Sequence, residues 1–204
     1  MAMKEGLEAF KMLEQIARKH GGYLPAREAV SQGISRSTLD RFIWERRFER
    51  MADGIYLAPE AMDDEYYLLQ LQYPELILSH NSALFMNDLS DYIPRMPEVT
   101  ASAGFDTRKL EQEGVQVHTV APELHELGLT QTKTMFGNSV RVYDLERTIC
   151  DVLRDRDAFE AQEYYGAFKY YIRHPDKKLW QLDQYAQKFG VRDTANEYMR
   201  LLLA

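Results

Sequence analysis

Between positions 35 and 50 the chain gathers hydroxyl and guanidinium side chains at a spacing suited to reading nucleic acid. Ser35, Arg36, Ser37, Thr38 and Arg41 open a predicted helix, and the first turns of a reading helix are where base edges are met. Arg47 and Arg50 follow at a predicted hairpin, a place suited to phosphate contacts, which position the protein without carrying sequence information. Arg27, one element upstream, joins this DNA-contacting set.

Other chemistry-bearing residues fall short of a reactive spacing. Nucleotidyl transfer uses Gly-Ser at a helix start and then two carboxylates one residue apart on a strand, to hold magnesium. Gly137-Asn138-Ser139 and Asp144-Leu145-Glu146 contain those residue types, but only four residues separate Ser139 from Asp144. That leaves no room for the intervening helix, so the stretch reads as a hairpin turn and a helix N-terminus whose acids suit the dipole. His80, His118, His125 and His174 form no helix-spaced pair with one another or with Cys150. His125-Glu126 lacks the second histidine of a zinc-binding helix, and a metal site would have to assemble through space. Asp151 and Asp155, one turn apart beside Arg147 and Arg154, read as a solvated ion-pair network. No catalytic residue, metal or cofactor is expected.

The elements that position the basic set are legible. Leu39, Phe42 and Ile43 make one apolar stripe of a helix opened by Ser35 or Ser37. Ser37, Arg41 and Trp44 fall on the opposite face. Upstream, Pro25 to Gln32 reads as a short helix, and Gly33-Ile34 as a tight turn. Leu7, Phe10, Leu13, Ile16 and Ala17 mark an amphipathic first helix ending near His20-Gly21-Gly22, and Tyr23-Leu24 a brief strand. Phe48 to Met51 and Ile55 to Leu57 flank Ala52-Asp53-Gly54, a short-range hairpin signal. Helix, turn, helix and hairpin in this order make a winged helix-turn-helix, whose second helix enters the major groove.

Composition bounds the rest. The 204 residues are 45% hydrophobic and 28% charged, with a net charge of -7. Residues 1–58 hold ten Lys/Arg against eight Asp/Glu, while the remainder holds fifteen against twenty-four. The basic excess thus accompanies the helix-turn-helix, and the acidic remainder restrains non-specific DNA binding. A single Cys150 excludes an intramolecular disulfide framework. No signal peptide or membrane-spanning apolar run is expected, so the reading is a cytoplasmic protein with no membrane partner.

Pro59 and the acids Asp63 and Asp64, read as a solvated linker or helix start, suggest a boundary between a domain at 1–58 and another at 59–204. The second domain reads as mixed. Helices are expected over Tyr66–Tyr73, Asn81–Leu89, Leu145–Leu153, Phe159–Ile172, Lys178–Phe189 and Asn196–Leu203. Strands are expected at Leu76–Leu78, Val99–Ala101, Val115–Val120, Lys133–Phe136 and Val140–Tyr143, with a turn at Phe136–Ser139. The whole is α+β: an N-terminal winged helix-turn-helix, then a mixed domain with a small β-sheet and a C-terminal helical bundle.

Four segments carry a resemblance. SHNSALFMNDLSDYIP (Ser79 to Pro94) and VRVYDLERTICDVL (Val140 to Leu153), together with GISRSTLDRFI at Gly33 to Ile43 and GIYLAP at Gly54 to Pro59, resemble the AbiE-type antitoxins of bacterial abortive-infection systems. The likeness runs over nearly the whole chain; Phe85-Met86-Asn87 departs from the Tyr-Leu-His-like run usual there. The resemblance implies a type IV antitoxin that binds inverted repeats of double-stranded DNA in its own promoter and represses it. It also implies a C-terminal domain that counters a nucleotidyltransferase toxin acting on tRNA, without a stable complex, and a monomer in solution. A one-component transcriptional regulator whose C-terminal domain binds a small-molecule effector stays open beside it, as does an enzyme targeted by the winged helix.

Overall fold

The computed structural model of the chain describes residues Ala2–Leu203. The protein is α+β, and its chain forms two compact units. The first comprises Met1–Pro74 with Lys133–Ser139, and the second Glu75–Thr132 with Val140–Ala204.

In the first unit, α1 (Ala2–Lys19), α2 (Ala26–Ser31) and α3 (Arg36–Arg46) accompany a three-stranded sheet of β1 (Tyr23–Pro25), β2 (Glu49–Ala52) and β3 (Ile55–Leu57). The sheet order is β1-β3-β2 and both pairings are antiparallel. Leu13 and Ile16 of α1, Ala29 of α2, and Leu39 and Phe42 of α3 share one core. Leu7 does not: it is 59% exposed, so the apolar stripe of α1 begins at Phe10. Pro25 is the N-cap of α2 rather than its first residue. Gly33 takes φ +84, a left-handed turn that glycine adopts without a Cβ penalty, and it lets Ile34 N–H reach back to Ala29 O.

The unit extends past Pro59. Helix α4 (Glu65–Gln72) lays Tyr67, Leu68 and Leu71 against Tyr23, Ile55 and Leu57 of the sheet, which carries the division of the chain to Pro74. Asp64 is not solvated as its acidic neighbourhood suggested. It is buried and N-caps α4 by accepting from Tyr67 N–H. Its Oδ2 also accepts from Thr134 Oγ1 at 2.5 Å and Asn138 Nδ2 at 2.7 Å, which places the 133–139 segment in this unit.

The second unit is built on a five-stranded sheet of order β6-β5-β4-β8-β7. Its strands are β4 (Ile77–Leu78), β5 (Glu98–Ser102), β6 (Gln116–Val120), β7 (Leu129–Lys133) and β8 (Ser139–Tyr143). β4 runs antiparallel to β5 and parallel to β8, and β5 parallel to β6. Of the strand expected at Lys133–Phe136, Lys133 is the last residue of β7 and Thr134–Phe136 begin the turn after it, closed by Thr134 N–H on Asn138 O and Gly137 N–H on Thr134 O. Helices α5 (His80–Met86), α6 (Arg108–Gln112) and α7 (Pro122–His125) connect the strands. The chain then continues through α8 (Leu145–Arg154), a 3-10 turn at Arg156–Ala158, α9 (Ala161–Arg173), α10 (Leu179–Phe189) and α11 (Arg192–Leu203). Leu84, Ile149, Val152, Phe168, Tyr171 and Leu182 form the centre of the helical core. The Asp151–Arg147 pair is a correction to the solvated network expected there: both side chains are fully buried, because α8 lies inside this core.

Candidate nucleic-acid interface

The hydroxyl and basic residues singled out by sequence divide into those that are committed to the fold and those that are not. Ser35 is committed. Its Oγ accepts from Thr38 N–H at 3.2 Å and N-caps α3, which satisfies a donor that a helix start leaves without an intrahelical partner. The same Oγ lies 3.1 Å from Ser37 Oγ and 2.9 Å from Thr38 Oγ1, so the three hydroxyls form one small cluster at the tip of the helix. Such a cluster can reorient its protons toward an acceptor of either kind, a base edge or a phosphate.

Arg36 and Ser37, in the first turn, are exposed. Among the described residues, no hydrogen bond or ion pair engages the Arg36 guanidinium. Arg41, one turn further on, leans back onto the first helix: its guanidinium sits 5.0 Å from the centroid of the Phe10 ring and 3.8 Å from Glu45. Arg46, which the sequence reading did not select, is a tie rather than a contact, donating to Glu14 of α1 at 2.8 Å. Arg47 closes the helix in a left-handed conformation, φ +56, with its side chain exposed. Trp44 is 80% exposed on the outer face of α3, the face the apolar stripe of Leu39 and Phe42 leaves outward. Its spacing from Ser37 and Arg41 was the signal for this.

The hairpin supplies the second part. β2 and β3 pair Glu49 with Leu57 and Arg50 with Tyr56, then shift register by a bulge before Ala52 meets Ile55. Gly54 turns at φ +66, and Arg50 folds over the turn, bonded to Asp53 Oδ1 at 2.9 Å and to Ala52 O. These contacts of Arg41 and Arg50 are solvent-exposed, and exposed ion pairs contribute about 0–1 kcal/mol. Exchanging them for a phosphate therefore costs little. Arg27 is exposed on α2.

In the second unit, the carboxylates of Asp144 and Glu146 serve the fold. Asp144 N-caps α8 by accepting from Arg147 N–H at 2.8 Å and also accepts from Gln181 Nε2. Burial pushes its carboxyl up to about 6, opposed by the bond from Arg147. Glu146 is buried and accepts from Tyr171 Oη and from Lys178 N–H. What sequence spacing missed lies elsewhere in this unit: His80, His118 and Asp155 come together through space, with ligand atoms within 4.8 Å of one another.

Among the described residues, no helix is long and apolar enough to cross a membrane. No family model matches the chain, and no curated protein matches it. Among solved structures, the chain is similar to the crystal structure of the RV2827C protein from Mycobacterium tuberculosis, with a TM-score of 0.57 at 13% identity. The likeness covers 94% of this chain and 79% of that one, and what the two share is an α+β fold.

Proposed function

We propose that the first unit is a winged helix-turn-helix that binds double-stranded DNA, and that the protein is a type IV antitoxin repressing its own promoter. The observation that carries the DNA-binding reading is the start of α3. A capped helix of 11 residues, about 16 Å long, offers Arg36, Ser37 and the hydroxyl cluster to solvent, with Arg47 at its far end and the Arg50 hairpin beside it. A helix of this size fits a major groove, where arginine bonds guanine bidentately and hydroxyls suit either base. Arg47, Arg50 and Arg27 fall to phosphates, which fix register and supply the salt-dependent part of the affinity.

The antitoxin half of the reading rests on the resemblance of Ser79 to Pro94 and Val140 to Leu153. It takes the second unit as the part that opposes a nucleotidyltransferase toxin without holding it in a stable complex. The part-buried Asp144 and the buried Glu146 spend their carboxylates on hydrogen bonds within the fold, which supports a role for this unit other than nucleotidyl transfer. A paired assay tests the division of labour: a promoter reporter and a toxin-rescue growth test on the same variants. Arg36→Ala with Arg41→Ala releases repression and preserves rescue. Loss of rescue at normal protein level would instead place protection in the first unit and overturn the division.

A further inference from the structure

The second unit contains one cluster whose chemistry the proposed function does not use. His80 opens α5, His118 lies in β6, and Asp155 follows α8. Their ligand atoms all fall within 4.8 Å of one another. His80 has no exposed side-chain surface, and 14% of His118 and 29% of Asp155 remain exposed. His80 Nε2 lies 2.9 Å from Asp155 Oδ2. The two imidazoles stack, with centroids 3.3 Å apart and planes 11° from parallel.

Each member is held from behind. Ser79 Oγ lies 2.9 Å from His80 Nδ1 and accepts from Thr100 Oγ1, which directs Nε2 toward Asp155. Glu98 Oε2 lies 3.1 Å from His118 Nε2, and its other oxygen accepts from Asn81 Nδ2. Arg154 grips the Asp155 carboxylate through Nε and Nη2. Hydroxyl and carboxylate partners on the second nitrogen of an imidazole are the means by which metal-binding histidines are oriented. His80 takes φ +48, a left-handed conformation uncommon for a non-glycine residue though less so for histidine.

We propose that His80, His118 and Asp155 form a binding site for one divalent transition cation of the Zn2+ class. Two imidazoles and one carboxylate make a nitrogen-rich donor set that suits Zn2+, Co2+ or Ni2+, whereas Mg2+ and Ca2+ prefer oxygen throughout. Bond lengths of about 2.0–2.1 Å set tetrahedral donors about 3.3 Å apart. The ion therefore draws the three side chains inward and fans the stacked rings open, so that both nitrogen lone pairs meet at one centre. Because the donors come from three elements and little of the cluster is open to solvent, the ion cross-links α5, β6 and the end of α8. Its role is to stabilise this unit, by linkage of binding to folding.

The test uses the full chain, stripped with a chelator and titrated with Co2+ and then Zn2+. The expected result is one Co2+ per chain with the strong visible absorption of a four- or five-coordinate site, displaced by Zn2+, and a melting temperature that rises with Zn2+. Asp155→Asn, which keeps side-chain shape, and His118→Gln, which puts an uncharged amide in place of the imidazole, each weaken binding at least tenfold while His174→Gln leaves it unchanged. Weak absorption like that of the hydrated ion, or binding equal to wild type in both cluster variants, would overturn the site. Should those variants fail to fold, imidazole nitrogen resonances of the wild-type chain decide the matter. Zn2+ shifts those of His80 and His118, and their remaining in place would equally refute the proposal.

Discussion

Replacing Arg147 by methionine is expected to destabilise the second unit by about 3–5 kcal/mol. Arg147 and Asp151 stand one turn apart on α8, and neither side chain has exposed surface. Arg147 Nε bonds both carboxylate oxygens of Asp151 at 3.1 Å, and Nη1 donates to Leu124 O at 2.7 Å and Leu127 O at 2.8 Å. The guanidinium lies 3.9 Å from the centroid of the Tyr143 ring and 4.3 Å from that of Phe189. Methionine fills much of this volume but leaves a buried carboxylate whose remaining cationic neighbour is Arg154 Nη1, 3.3 Å away. Leaving one charge of a buried pair without its partner costs about 3–5 kcal/mol, and each orphaned carbonyl about 1–3 kcal/mol. These terms do not add, because Arg154 can turn toward Asp151 and the carboxyl can take up a proton.

The pair itself contributes little net stability, since desolvation offsets its Coulomb attraction. Adding Asp151→Leu to Arg147→Met should therefore recover part of the loss, leaving about 1–3 kcal/mol from the carbonyls. The chain has two tryptophans, Trp44 in the first unit and Trp180 in the second, so a Trp44→Phe background makes Trp180 fluorescence a reporter of the second unit in denaturant unfolding. A single-variant loss below about 1 kcal/mol, or a double variant as unstable as the sum of the two singles, would mean that Arg147 and Asp151 are not coupled as a buried pair.

Three further outcomes are expected. Ser35→Ala removes the cap of α3 and lowers the stability of the first unit by about 1 kcal/mol, read from Trp44 fluorescence in a Trp180→Phe background. Asp144 is raised on folding from 3.8 to about 6, so the folded form holds its proton more tightly and stability falls as pH rises through that window. Asp144→Asn keeps a capping oxygen and should be more stable than wild type at pH 7 by on the order of 1 kcal/mol after discounting for partial exposure and the reoriented Gln181 amide. Thermal melts across the range should show that gap closing below about pH 4. Arg50→Ala should weaken binding to all duplexes alike and reduce the salt slope by about one, measured by anisotropy at several ionic strengths.

What the sequence made legible were features whose causes are local. Ser35 with the Leu39–Phe42 spacing located α3, and Asp53-Gly54 located the hairpin, because a cap and a tight turn are decided within a few residues. Failures had distant causes. Asp64 looked like part of a solvated acidic linker, but its partners Thr134 and Asn138 lie 70 and 74 residues away. The same pairing draws Lys133–Ser139 into the first unit and makes a turn where the residue types favoured a strand. β7 itself is half-exposed and polar, Leu-Thr-Gln-Thr-Lys, and shows no apolar alternation. α6 and α7, at 5 and 4 residues, are too short for a helical period to register. Of the candidate interface, the outward placement of Ser37, Arg41 and Trp44 was legible from the Leu39–Phe42 stripe, but not that Arg41 rests on Phe10 or that Arg50 is tied over the hairpin turn. The His80–His118–Asp155 cluster was beyond reach, since His80 and His118 are brought together by the pairing of β4 with β5 and β5 with β6, and Asp155 by the packing of α8 on α5.

The proposed repressor role requires the start of α3 to read the promoter of this protein's own gene. The most direct measurement is the affinity of wild type and Arg36→Ala for a duplex from that promoter and for a scrambled duplex, at one fixed salt concentration. Wild type should prefer the promoter, and Arg36→Ala should lose about 1–3 kcal/mol on it with little change on the scrambled duplex. Equal affinity of wild type for the two duplexes, or undiminished promoter binding by Arg36→Ala, would mean that α3 does not read this promoter.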